Sequence, residues 1–317
     1  MATGVVIGLA VAGLLLLTVA SDQLVLGAGR LAATLRIAPV VVGVVIIGLG
    51  TSAPEFLVSG IASARGTPGI AVGNLVGSNI INVTLVLGAA ALVAPVIVRS
   101  SIPAREAPAT VLSTAVFGAF ALAGLALIAG IVLAVLGALA IVALVRLARP
   151  RPSDPLPGEV VQFLDPAPSR RWQLESLRAL VGLAGTLAGA QLVVVNATTL
   201  AQRWGVSDAV IGYTLVALGT SLPELVTAIQ AQRRRESDLL VGNLLGSNLF
   251  NSLIGGAIVG LFASSTESSV NYPAVAAMVG VNALAWLLLF RGHRVNRIEG
   301  GILIAAYLAT LPLLGSG

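Results

Sequence analysis

Two acidic residues, Glu55 and Glu224, stand deep inside long apolar stretches, whereas the other acidic residues among the 13 in the chain lie near the ends of such stretches or between them. A lone carboxylate in hydrocarbon costs roughly 2.5 to 3.5 kcal/mol on insertion scales, so each needs a protein-lined cavity and a partner. No Arg, Lys or His lies at comparable depth. The balancing charge must therefore come from a bound cation, a proton, or both. Thr51 lies four residues before Glu55, and Thr220 four before Glu224; Ser52 and Ser221 lie three before them. On a helix these residues share one face with the carboxylate. Ser78 and Asn82, and likewise Ser247 and Asn251, are four apart in the next apolar stretch. Pro54 and Pro223 lack an N–H and clash with the carbonyls of Gly50 and Gly219, so each helix should bend there and free backbone oxygens. Such a pocket offers carboxylate, hydroxyl, amide and carbonyl oxygens without nitrogen or sulfur ligands, a set suited to hard ions such as Ca²⁺ and Na⁺ rather than zinc or copper. Two ionised glutamates balance one Ca²⁺ or two Na⁺.

These residues belong to a duplicated pattern. GLGTSAPEFLVS (48–59) and VGNLVGSNIIN (72–82) recur as ALGTSLPELVTA (217–228) and VGNLLGSNLFN (241–251), at a constant spacing of 169 residues. Between Leu49 and Glu55, 6 of 7 residues match their counterparts, and between Val72 and Asn82, 8 of 11. Drift within apolar composition does not reproduce a polar set in register, so the pattern reads as an internal duplication. Kinks and small-residue packing are the plainer readings of Pro and of Gly73/Gly77 and Gly242/Gly246, and Gly77 and Gly246 are expected to bring helices close. Asn74, Asn79, Asn243 and Asn248 should line the pathway or cap broken helices.

The elements that position this set must lie in a membrane. The chain has 317 residues, 57% hydrophobic and 10% charged, with a mean hydropathy of +1.00. Those values exclude a soluble domain of this size. Cysteine is absent and the single histidine, His293, sits in an Arg-rich turn, which argues against a zinc site or a histidine-based enzyme. Charged and Pro/Gly-rich punctuation divides the chain into ten spans, near 3–29, 37–64, 69–97, 106–127, 129–147, 174–202, 207–231, 238–262, 272–290 and 298–315, with a split near Gly130. Residues 1–20 contain no Lys or Arg, so the first span reads as a mature helix rather than a secretory signal.

All 18 basic residues are arginine. With both termini outside, ten spans put every arginine except Arg65 and Arg203 on the inner side, as expected for cytoplasmic loops. The pI near 10.9 is thus a topological bias and no sign of nucleic-acid binding. Between spans five and six, Arg149 to Trp172 holds six of the fifteen prolines and reads as a cytoplasmic linker. It separates residues 1–148 from 173–317. Five spans per half is an odd number, so the second half enters the membrane from the opposite side. The expected fold class is an all-α polytopic membrane protein with ten transmembrane helices in two inverted-topology five-helix repeats. Asp22 and Asp208 read as solvated or capping residues near span ends, and Glu236 and Asp238 as a surface salt-bridge cluster with Arg233 to Arg235.

At these motifs the chain resembles the cation/calcium exchanger superfamily, in particular the sodium/calcium exchanger branch in its compact prokaryotic form. The resemblance rests on two α-repeats, residues 43–89 and 212–258, carrying GTSAPE with GNLVGSN and GTSLPE with GNLLGSN. It implies that Glu55 and Glu224 are central ligands shared by calcium and sodium, that Thr51 and Thr220 contribute backbone carbonyls, and that Ser52, Ser221, Ser78 and Ser247 shape flanking sodium sites. Asn82 and Asn251 would lie at the middle, near a coordinating water. The proton-coupled branch carries an acidic residue after the GN pair, which this chain lacks. Where family members often have Asp, the second repeat has Asn251, so the site has one protonatable group fewer. The large calcium-sensing insert of animal exchangers is missing. The resemblance implies an antiporter of the cell membrane, not an enzyme, that works by alternating access without a cofactor, takes only small inorganic cations as partners within the lipid bilayer, and is a monomer. A proton- or potassium-coupled exchanger and a passive cation channel are the competing readings.

Overall fold

A computed structural model describes residues 2–35, 42–66, 68–100, 104–147, 172–204, 217–262 and 270–314. In chain order it has α1 (Thr3–Leu35), a π-helical stretch (Val42–Gly48) running into α2 (Leu49–Thr51), α3 (Ala53–Ala64), α4 (Pro68–Ile81), a π-helical turn (Asn82–Val86), α5 (Leu87–Val93), β1 (Val96–Ile97), α6 (Glu106–Ala123) and α7 (Leu127–Leu147). Then come α8 (Trp172–Arg203), α9 (Ala217–Thr220), α10 (Leu222–Arg233), α11 (Ser237–Phe250), a second π-helical turn (Asn251–Gly255), α12 (Gly256–Phe262), α13 (Tyr272–Gly292), β2 (Arg294–Val295) and α14 (Arg297–Leu314). The bounds of α3, α4, the first π-helical turn and α5 reappear, residue for residue, in α10, α11, the second turn and α12 at the 169-residue spacing of the sequence motifs.

Among the described residues seven helices are long and apolar enough to cross a membrane, and eight if the bent pair Val42–Thr51 and Ala53–Ala64 is one span. The protein is thus a helical polytopic membrane protein. The segment 207–216, with Asp208, and all but Trp172 of the linker expected at 149–172 lie outside the described residues. The break expected near Gly130 falls earlier, at Gly124, whose φ of 91° ends α6 in a conformation open to glycine. Gly130 instead lies against Gly260 of α12.

Burial separates a core from a periphery. In the 18-residue apolar stretches of the spans 68–93 and 237–262, 78% and 83% are buried inside the protein, against 22% for that of the N-terminal helix and 33% for that of α8. The GN motifs thus occupy the middle of the bundle, as their small and polar residues require. Close backbone approach holds this centre together: a Cβ on Gly246 would lie 2.6 Å from the Val44 carbonyl oxygen, so only glycine fits. Gly77 has no described neighbour within 4 Å; Tyr213, the counterpart of Val44, lies outside the described residues.

The peripheral helices α1 and α8 pack on each other through the same device. A Cβ on Gly189 would lie 2.6 Å from the Leu17 nitrogen. The Ser21 and Thr186 hydroxyls meet at 3.3 Å across the pair while each donates to the carbonyl four residues earlier, of Leu17 and Gly182. Satisfied in this way, they add little cost in an apolar layer.

One end of the molecule gathers the arginine-rich turns. There β1 pairs antiparallel with β2, Val96 opposite Val295, and Asp238 accepts from the amides of Arg99 and Ser100, both at 3.2 Å, and from the Ser100 hydroxyl at 2.7 Å. Two surface readings are corrected. Asp22 lies within α1 rather than at a cap, and its partly exposed carboxylate is paired: it accepts Arg234 Nε at 2.8 Å and Nη2 at 2.7 Å, an ion pair joining α1 to the end of α10. Asp238 serves as an anchor for the backbone amides of Arg99 and Ser100 rather than as part of a cluster with Arg233 to Arg235, because an exposed arginine gains little from a carboxylate it shares with water.

Candidate cation site

The helices break where the prolines demand it. Val42–Thr51 and Ala53–Ala64 meet at 44°, with Ser52 at φ −79°, ψ 3°, and the equivalent break has Ser221 at φ −89°, ψ 7°. Pro54 and Pro223 sit in the first turn of the following helix, where a missing N–H is harmless. The carbonyls of Gly50 and Gly219 lose their usual donor. The breaks also put Glu55 and Glu224 in the first turns of α3 and α10, where backbone N–H groups face the carboxylate.

Both glutamates are fully buried, and their hydrogen bonds cross between the repeats. Ser52, on the same broken helix as Glu55, donates to Glu224 Oε1 at 3.4 Å. Ser221, beside Glu224, donates to Glu55 Oε1 at 3.4 Å. From the following helices Ser78 donates to Glu55 Oε1 at 3.3 Å and Ser247 to Glu224 Oε1 at 3.4 Å. The crossing forces the carboxylates into one pocket, since each serine is only three residues from the glutamate it does not serve. Among the described residues neither glutamate has an ion-pair partner. Hydroxyl donors lower the cost of burying two charges but do not cancel them.

The threonines brace the broken helices. Thr51 Oγ1 reaches the Ile47 carbonyl at 3.0 Å and Asn243 Oδ1 at 3.3 Å, and Thr220 donates to Asn74 Oδ1 at 3.4 Å. Asn74 Nδ2 lies 3.4 Å from the Glu55 carbonyl and from Ser59 Oγ. Asn74 and Asn243 thus tie each GN helix to the opposite break. Asn82 and Asn251 open the two π-helical turns, a widened geometry that recurs at functional sites.

All ten residues singled out by sequence are buried: the serines and Thr51 gather on the two glutamates and Thr220 is joined through Asn74, whereas Asn82 bonds to Asn248 and Asn251 has no hydrogen-bond partner among the described residues. Among the described residues five acceptor oxygens of the motif side chains are buried with no hydrogen-bond partner, Glu55 Oε2, Glu224 Oε2, Asn79 Oδ1, Asn82 Oδ1 and Asn251 Oδ1, beside two unpaired amide nitrogens, Asn243 Nδ2 and Asn251 Nδ2. Buried polar atoms are almost always paired, so a set of orphaned acceptors, two on carboxylates, is a pocket fitted to a cation. Asn282 of α13 escaped the sequence reading because it lies outside both motifs, yet it is buried against Asn248 and the Asn79 carbonyl. The available signal was its polarity within an otherwise apolar stretch.

A polytopic helical bundle with paired acids and unsatisfied oxygens at its centre has the architecture of a membrane transporter for cations. A family model described as "Sodium/calcium exchanger protein" matches residues 5–148 and 176–314, and the chain belongs to that family. It is 37% identical to the inner membrane protein YrbG of Escherichia coli (strain K12) over 96% of this chain and 95% of that protein. It is 30% identical to the sodium/calcium exchanger MaX1 of Methanosarcina acetivorans, over 95% of this chain and 96% of the other. A solved structure of the sodium-calcium exchanger NCX_Mj, soaked with 10 mM Na⁺ and zero Ca²⁺, superposes with a TM-score of 0.83 at 31% identity, covering 98% of this chain and 99% of that one.

Proposed function

We infer that the protein is a secondary antiporter that exchanges Na⁺ for Ca²⁺ across a membrane by alternating access. The observation that carries this reading is the crossed pair of buried glutamates, each keeping one oxygen without a partner and neither facing a protein cation among the described residues. Glu55 and Glu224 bind either cargo; Ser52, Ser78, Ser221 and Ser247 flank them; Thr51 and Thr220 present carbonyls at the breaks; Asn82 and Asn251 complete the centre. An emptied pocket would hold two uncompensated charges in a low-dielectric core, so the unloaded site is too costly to reorient, and transport is coupled to exchange. The relatives named as sodium/calcium exchangers support the choice of ions.

The ten-span, two-repeat arrangement belongs to the same proposal: residues 1–148 and 173–317 form inverted halves joined by a cytoplasmic linker at 149–172, in the cell membrane, with both termini outside and one chain sufficient for transport. The 169-residue recurrence of the central elements supports it. So does the gathering of the Arg99, Arg234 and Arg294 turns at one end. The lightly buried pair α1 and α8 is suited to move against the core.

Reconstitution into proteoliposomes, with Na⁺, K⁺ and H⁺ gradients imposed one at a time, tests the reading. ⁴⁵Ca uptake should follow the Na⁺ gradient alone. Uptake driven by a pH gradient after choline replaces Na⁺ would show proton coupling instead. If three Na⁺ exchange for one Ca²⁺, each cycle moves one net charge, worth about 2.3 kcal/mol per 100 mV, and uptake responds to voltage.

A further inference from the structure

The two central asparagines occupy matching positions in the repeats but are held differently. Asn82 Nδ2 donates to Asn248 Oδ1 at 3.0 Å. Asn248 Nδ2 donates in turn to Asn282 Oδ1 at 2.9 Å and to the Asn79 carbonyl at 2.8 Å. Asn282 Nδ2 donates to the Met278 carbonyl at 2.8 Å and reaches the Asn79 carbonyl at 3.4 Å. Backbone carbonyls only accept, which settles the orientation of the Asn282 amide. The polarity then propagates: nitrogen toward the carbonyls at Asn282, oxygen toward Asn248, oxygen of Asn248 toward Asn82, and Asn82 Oδ1 left buried without a partner.

The other half has no such chain. The residue matching Asn248 is Asn79, whose Nδ2 turns to Ser252 Oγ at 3.1 Å. The residue matching Asn282 is Ser113, whose hydroxyl is used on the Thr110 carbonyl at 2.8 Å. Both terminal atoms of Asn251 are buried without a partner among the described residues.

We propose that Asn282 is a positioning residue for cation binding: through Asn248 it fixes the amide of Asn82 so that an oxygen, never the NH₂ group, faces the pocket, while Asn251 has no tether and turns to suit the ion. The proposal rests on the cation-exchange reading. A flipped Asn82 would present two donor hydrogens to a cation, so loss of the tether weakens binding more than turnover.

The test is Ca²⁺ half-saturation and maximal rate of Na⁺-driven ⁴⁵Ca uptake in proteoliposomes, with melting temperature in detergent measured alongside. Asn282→Ala should raise half-saturation by about 5- to 10-fold, the size of one lost buried hydrogen bond, with the maximal rate changed less than about twofold. In the Asn82→Ala background the same substitution should add nothing, because the oxygen it positions is gone. Ser113→Ala should behave as the unmodified protein. If Asn282→Ala melts early, Asn282→Ser, which copies the matching residue and retains a hydroxyl for Met278, gives the same readout. Unchanged half-saturation, or effects of Asn82→Ala and Asn282→Ala that multiply, would overturn the assignment. Absence of Na⁺-driven uptake by the unmodified protein overturns the exchange reading instead; the Ca²⁺ midpoint of thermal stabilisation then tests Asn282 separately.

Discussion

The halves of this chain share backbone design and differ in what surrounds it. α3, α4 and α5 with their π-helical turn match α10, α11 and α12 in length and residue pattern, and the serines cross symmetrically from each break to the opposite glutamate. Outside the motifs the symmetry ends. Asn282 faces the core where the first half has Ser113, and Asp22 binds Arg234 at one end of α1, whereas the residue matching Asp22 in α8 is the neutral Gln191. Alternating access asks the site to be reachable from both sides, which symmetry provides; a difference in energy between the two states is something strict symmetry would forbid. The shared motifs supply the first and the unmatched residues the second.

The largest effect should come from the most symmetric pair. Glu55→Gln and Glu224→Gln each remove one of two compensating charges from a site with no protein cation among the described residues, so each should lower Na⁺-driven ⁴⁵Ca uptake by about 100-fold or more. Equal losses are expected, because each carboxylate receives the same pair of serine donors. Normal uptake by both variants would remove the glutamates from the site.

Asn251→Asp and Asn82→Asp separate the halves. Asn251 has no hydrogen-bond partner to lose among the described residues, so a carboxylate there adds a negative charge and should lower Ca²⁺ half-saturation on the order of 10-fold. At Asn82 the same change loses the donor to Asn248 and sets two oxygens against each other. Its gain should be smaller or reversed, as read by half-saturation at pH 6.5 and 8. Identical behaviour of the two variants would mean that the tether on Asn82 has no consequence.

Much of this was legible in the sequence because the expensive groups announce themselves. A carboxylate within an apolar stretch, a proline one residue before it and a serine three before it constrain the local backbone and chemistry together, so Glu55, Pro54 and Ser52 located the break and the pocket. Duplication then showed which residues meet. The partner choices were not legible. Asp22 reads as an ordinary span-end residue because its match, Arg234, is 212 residues away, and a lone Asn282 carries no spacing to compare. Nor is the end of α6 legible, because apolar residues continue past Gly124 and only its positive φ marks the stop.

The Asp22–Arg234 pair offers a smaller effect. It is bidentate but about one-third exposed on both sides, so its removal is worth at most about 1 kcal/mol. Because it ties peripheral α1 to the core, Asp22→Asn should favour states in which α1 is displaced. Amide hydrogen exchange across residues 22–31 should quicken by about two- to fivefold, while the matching stretch of α8 is unaffected. Equal acceleration in both helices would indicate general loosening rather than release of one tether.

The smallest effect concerns stability and pH. Glu236, in the turn between α10 and α11, has its carboxyl against α1, where a Cβ on Gly29 would lie 3.6 Å from Oε1. Burial, with help from Asp238 and against the pull of Arg234, raises its pKa from 4.5 to about 7. A raised carboxyl binds its proton more tightly in the folded protein than in the unfolded chain, so the stability it contributes is fully present below 4.5 and is lost as pH rises through 7. Glu236→Gln keeps the neutral form at every pH. Its melting temperature should equal that of the unmodified protein near pH 4.5 and exceed it at pH 8, the gap opening between those limits. Parallel melting curves across this range would show that Glu236 ionises freely and that its contact with α1 carries no energetic weight.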